Sequence, residues 1–139
     1  MSAVTIAKMI QIQESKPISL PADFLDTIRP KDVEESSAVM ILSPSTKIIR
    51  IIPTKSPEVV KVAIEIGELS PDFLQELGVV FMRNKIKTLY STGLCFTQDS
   101  CTYEGYMDSS DLTISQEQLR DELAKIKGVS KVEFTTLTT

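Results

Sequence analysis

Cys95 and Cys101 are the only cysteines of the 139-residue chain, and they stand six residues apart. If Thr97, Gln98 and Asp99 form a three-residue hairpin loop, Phe96 pairs with Ser100 and Cys95 lies directly opposite Cys101. That spacing is close enough for a cross-strand disulfide, and so a redox pair, but the expectation is two reduced thiols in a cytoplasmic hairpin. A second chemistry-bearing stretch is Gly67-Glu68-Leu69-Ser70, ahead of Pro71-Asp72-Phe73-Leu74. Gly67 gives the backbone freedom there, and the following helix start offers unpaired N–H groups and the positive end of a dipole, a combination suited to a carboxylate ligand. Asp72 supports a competing reading, because a carboxylate in the first turn satisfies the dipole itself and repels an anion. Glu65, Glu68, Glu104 and Asp108 supply carboxylates, but their spacing demands no metal, and solvated strand edges explain them as well. Tyr90, Tyr103 and Tyr106 are expected to pack or to line an interface.

Other chemistry is excluded by composition. The chain has no histidine, which removes the Ser/His/Asp and Cys/His arrangements and most zinc sites. Its five glycines form neither GxxxxGK[ST] nor GxGxxG. A noncatalytic protein without a cofactor is therefore expected. Fifteen Lys and Arg against 19 Asp and Glu give a formal charge of -4, so there is no general electrostatic case for nucleic acid or anionic membrane. The segment MSAVTIAKMIQIQ has no long apolar core and carries Lys8, which predicts neither a signal peptide nor a spanning helix, and a cytoplasmic location.

Residues 4–13 are β-branched and apolar enough to predict a strand, interrupted by Ser15-Lys16-Pro17. Ile18-Ser19-Leu20 predicts a short strand, and Pro21 opens a short helix with Phe24, Leu25 and Ile28 on one face, ended by Pro30. Residues 38–53 then read as two strands around Ser43-Pro44-Ser45-Thr46. The polar stretch Thr54-Lys55-Ser56-Pro57-Glu58 marks an expected domain boundary, with domains 1–56 and 57–139.

Beyond it, Val60, Val62, Ile64 and Ile66 alternate with Lys61 and Glu65, as in a half-buried strand. Ser70 is the expected N-cap of a helix carrying Phe73, Leu74, Leu77, Val80 and Phe81 at helical spacing. Two extended segments, 86–96 and 101–107, predict a hairpin. Ser115 and Gln118 form a capping box, Leu119, Leu123 and Ile126 an apolar stripe, Lys125 and Lys127 a basic last turn, and Gly128 a C′ glycine. Val132 and Phe134 close the chain in a final strand. The expected class is α+β: a small mainly-β domain, then a βαββαβ ferredoxin-like domain with helices on one face of an antiparallel sheet. The related phrases Pro21-Ala22-Asp23-Phe24-Leu25 and Pro71-Asp72-Phe73-Leu74 sit in unlike surroundings, so they read as one helix-starting idiom used twice and not as a repeat.

The second half resembles an ACT domain, a regulatory ferredoxin-like module. This implies dimers and amino-acid binding at the loop before the first helix, here Gly67, Glu68, Leu69 and Ser70. In that family a glycine commonly follows the loop proline; Asp72 occupies that place after Pro71. The first half resembles an AbrB-type swapped-hairpin domain through Leu20-Pro21-Ala22-Asp23-Phe24-Leu25 and the strand at 45–53. The resemblance implies two interlocked chains and, in DNA-binding members, basic helix residues; here Asp23 and Asp26 stand in that helix. Residues 1–56 carry seven basic and six acidic side chains, a net +1, so DNA binding is expected to be weak or absent.

Together these features predict a homodimer or higher even oligomer that acts as a regulatory or ligand-sensing protein, in the family sense a candidate transcriptional regulator, with an amino acid or similar small molecule as ligand. The alternative is a noncatalytic oligomerisation module with no small-molecule ligand. A redox enzyme acting through Cys95 and Cys101 is a third class.

Overall fold

In the computed structural model of the chain, described for residues 5–29 and 36–139, three α-helices and six strands give an α+β architecture with two antiparallel sheets. In chain order they are α1 (Ala22–Ile28), β1 (Ser37–Ser43), β2 (Ile48–Thr54), β3 (Glu58–Ile66), α2 (Pro71–Arg83), β4 (Tyr90–Thr97), β5 (Ser100–Asp108), α3 (Gln116–Ala124) and β6 (Val129–Thr138). The chain divides into two compact units, Met1–Val33 and Glu34–Thr139.

Among the described residues of the first unit only α1 is regular. It starts after Pro21, which offers no side-chain cap, and Asp23 occupies its first turn. The strands expected at 4–13 and 18–20 do not form among the described residues. A strand needs a neighbour to take up its N–H and C=O groups, and this segment pairs with none, so its backbone stays irregular. Ile6, Met9, Ile10, Ile12 and Ile18 are exposed in consequence. Val4 and Pro30, at the ends of the expected elements, lie outside the described residues.

The second unit is built on β3. Val60, Val62, Ile64 and Ile66 are all buried, as the alternation predicts, and they meet Phe73, Leu77, Val80 and Phe81 of α2 and Leu119 and Leu123 of α3. Each such side chain contributes roughly 1.5–3 kcal/mol when fully buried, which makes this face the main source of stability. The sheet order is β4-β5-β3-β6, with every neighbouring pair antiparallel. Both helices are capped by their own serines. Ser70 Oγ accepts from Phe73 N–H at 3.1 Å, and Ser115 and Gln118 form the expected reciprocal box.

The opposite sheet face carries the β1–β2 hairpin. Val39 and Ile41 bury themselves against Val59 and Tyr106, with Ile52, Leu89, Tyr90 and Leu137 packed around them. The Arg50 guanidinium lies 4.6 Å from the centre of the Tyr90 ring. The hairpin therefore belongs to the same compact unit as the four-stranded sheet, and the expected boundary at 54–58 falls inside that unit. Lys55 and Ser56 there are tied to the end of β5 through Asp108.

Several element ends differ from expectation. Helix α3 stops at Ala124 with Lys125 as C-cap, so Lys127 lies beyond it, and Gly128 adopts its positive φ of 93° in a separate turn closed by Val129 N–H to Ile126 O. Strand β4 begins at Tyr90 and not at Ile86, because Ile86 completes the stop of α2. There Ile86 N–H donates to Phe81 O and Lys85 N–H to Met82 O, the paired bonds of a Schellman stop, with Lys85 at φ 55°.

Candidate functional site

The four residues expected to bind a ligand occupy the turn from β3 into α2, and the fold sends them in different directions. Glu68 and Ser70 line a cleft of about 780 Å³ between the start of α2 and residues 125–128, together with Asp72, Glu76, Lys125 and Lys127. Gly67 lines a separate cleft of about 460 Å³ with Phe96, Asp99 and Cys101. Leu69 turns inward and packs on the main core. It lies so close to Gly93 of β4 that a Cβ there would stand 2.7 Å from Leu69 Cδ2.

The turn is held mainly by the chain itself. Gly67 N–H donates to Gly128 O at 3.2 Å, and Ser70 Oγ serves as the N-cap, which leaves fewer free N–H groups than the bare helix start expected from sequence. Gly67 is not in the left-handed region; among the described glycines only Gly128 has a positive φ. A Cβ at Gly67 would make only ordinary contact with Asp99 O of the β4–β5 turn, at 3.7 Å, so neither backbone conformation nor crowding calls for glycine there.

Cys95 and Cys101 pair opposite each other, as the spacing suggests, and are joined in a disulfide. The loop between them differs from the expected three-residue one. Thr97 pairs with Ser100 across a two-residue turn, Gln98-Asp99, and the register shift at Phe96 restores the Cys95–Cys101 alignment. Cys101 is 2% exposed in the core, while Cys95 is exposed on the edge strand. Tyr103 packs edge-to-face on Phe73 with ring centres 6.3 Å apart, and its burial raises the phenol pKa against a hydrogen bond from Ser91. Tyr90 and Tyr106 are packing residues beneath the hairpin.

The four carboxylates do not converge. Glu104 Oε2 lies 3.1 Å from Lys61 Nζ; burial alone would lower the lysine pKa, but hydrogen bonding to Glu104 and the nearby Tyr106 raise it overall. Asp108 is 1% exposed. Its Oδ1 accepts from Ser56 Oγ (2.7 Å), Ser110 N–H (3.0 Å) and Ser110 Oγ (2.8 Å), and its Oδ2 from the N–H groups of Lys55 (2.6 Å) and Ser56 (3.3 Å). Burial pushes its pKa up, yet these donors, Ser56 foremost, hold it well below the usual carboxylate range. Among the described residues no group of three or more Cys, Asp or Glu is placed to hold a metal ion.

Two features were missed in the sequence. The Asp108 clamp has only a weak local signal, Asp-Ser-Ser at 108–110, and its other half lies more than fifty residues away at Lys55-Ser56. The bridge from α2 to α3, in which Glu122 accepts from Arg83 Nη2 at 2.6 Å and from Asn84 Nδ2 at 2.8 Å, has no sequence signal at all. Arg83 is the main reason that the Glu122 pKa is lowered. No helix among the described residues is long and apolar enough to cross a membrane. No protein-family model matches the chain, and no curated protein matches it.

Proposed function

We propose that this chain is a noncatalytic homodimeric regulatory module that associates through the outer face of its β1–β2 hairpin. The observation that carries this reading is the face itself. Met40 and Leu42 are each 60% exposed, and their cross-strand partners Ile51 and Ile49 are 37% and 59% exposed. These four side chains form a patch on the order of 400 Å², within the range at which exposed apolar surface marks association sites. Arg50, the only charged residue of β2, lies over Tyr90 on the inner side.

A second copy is the occupant that fits. Met40 facing Ile51 and Leu42 facing Ile49 make a two-by-two apolar array that matches itself under a two-fold axis. A two-stranded hairpin is marginal alone, and a partner face would bury its second side as the sheet buries its first. The sheet order suits a ferredoxin-like, ACT-like reading of residues 58–138, and the hairpin suits the AbrB-like reading; both resemblances imply dimers and regulation. Analytical ultracentrifugation tests the proposal: a dimer is expected at micromolar concentration, and Leu42→Lys with Ile49→Lys should give a folded monomer.

A second reading, amino-acid sensing at the turn Gly67, Glu68, Leu69 and Ser70, is favoured by one observation. The 780 Å³ cleft beside Ser70 presents both signs of charge, Lys125 and Lys127 against Glu68, Asp72 and Glu76, a lining suited to a zwitterion. Calorimetric titration with a panel of amino acids checks it directly.

A further inference from the structure

We infer that the Cys95–Cys101 disulfide is a reversible thiol–disulfide exchange site that latches the β3–α2 turn. Three contacts place the latch. The β4–β5 turn sets Asp99 O at ordinary contact distance, 3.7 Å, from where a Gly67 Cβ would stand, β4 lays Gly93 beneath Leu69, and Gly67, Cys101, Asp99 and Phe96 line one cleft. The disulfide joins the two strands that carry these contacts, one register step from the bulge at Phe96. It thus holds the irregular end of the hairpin against the turn.

The two sulfurs have unequal surroundings. Cys95 lies on an edge strand whose residues are exposed throughout Ser91–Thr97, so a dithiol reductant can reach it. One thiolate of the dithiol attacks Cys95 Sγ, the S–S bond breaks, and Cys101 leaves as a thiolate that takes up a proton. The second thiolate of the dithiol then attacks the mixed disulfide, which releases Cys95 as a thiol and the reductant as its cyclic disulfide. Two electrons pass from the dithiol to the protein, and an oxidised dithiol reverses the sequence. Reduced Cys101 remains a small apolar side chain among Ile66, Tyr103 and Phe73 of the core, so opening the bond does not require the fold to open.

Reduction then frees the hairpin end and the turn together while the centre of the sheet stays protected. Hydrogen–deuterium exchange on the whole chain, oxidised and after treatment with dithiothreitol, tests this. The expected result is exchange at least about tenfold faster at residues 67–70 and 96–100, with Val62 and Gly105 at the β3–β5 centre unchanged. Cys95→Ser with Cys101→Ser should show the fast pattern without reductant. Equal exchange in both states would overturn the inference, as would acceleration across the entire sheet, which would make the bond a general staple. So would free thiols by intact mass that do not close on exposure to an oxidised dithiol.

Discussion

Ser56 Oγ donates a 2.7 Å hydrogen bond to Asp108 Oδ1, across 52 residues of sequence, and so fastens the segment that leaves the β1–β2 hairpin to the end of the central hairpin. Lys55 and Ser56 add their backbone N–H groups to the other carboxylate oxygen. Replacing Asp108 with Ala strands several of these donors, and the expected loss is roughly 3 kcal/mol, measured by urea denaturation.

The same carboxylate sets an acid limit. Its pKa in the folded state lies below that of the unfolded chain, about 3.9, so the folded state binds fewer protons. Its contribution is therefore complete above about pH 5 and fades as the pH falls through the unfolded value toward the folded one. Asp108→Asn should be less stable at neutral pH and should show a flatter decline between about pH 5 and pH 2 than the native protein. Parallel declines for the two proteins would assign the acid sensitivity elsewhere.

Lys85 carries a left-handed backbone at φ 55° in the stop of α2. Glycine adopts that conformation without the steric cost of a Cβ. Lys85→Gly should accordingly raise stability by about 0.5–1 kcal/mol, and a thermal melt showing a clear loss would contradict the assignment of this stop.

Asp72 separates the two readings of the α2 start. If the cleft beside Ser70 takes an amino acid, Asp72→Gly removes a competing charge, and calorimetry should show affinity that appears or strengthens. If the helix is only self-capped, the variant loses on the order of 1 kcal/mol of stability and binds nothing.

Legibility followed the range of the contacts. The α2 and α3 starts were readable because Ser70 with Pro71, and Ser115 with Gln118, are local signals satisfied by local hydrogen bonds. Strand β3 was readable because Val60, Val62, Ile64 and Ile66 alternate. The stop of α2 was not, since a lysine stands where glycine is the usual marker. The docking of the hairpin on Val59 and Tyr106 was hidden as well, because Lys55-Ser56-Pro57 reads as a linker until Asp108 is seen to hold it. At the candidate site, the opposition of Cys95 and Cys101 followed from spacing, whereas Leu69 resting over Gly93 depends on how β4 lies beside the turn. The expected strand at residues 4–13 failed for the same reason: its apolar residues are present, but a strand is completed only by a neighbour.

The hairpin face carries the central claim, and the mass of the protein in solution tests it most directly. Sedimentation equilibrium of the native chain at micromolar concentration should give twice the 15.4 kDa protomer mass. Leu42→Lys with Ile49→Lys should give one protomer mass with an unchanged far-ultraviolet circular dichroism spectrum. A native protein that sediments as a monomer, or a dimer that survives both lysines, would contradict association through this face.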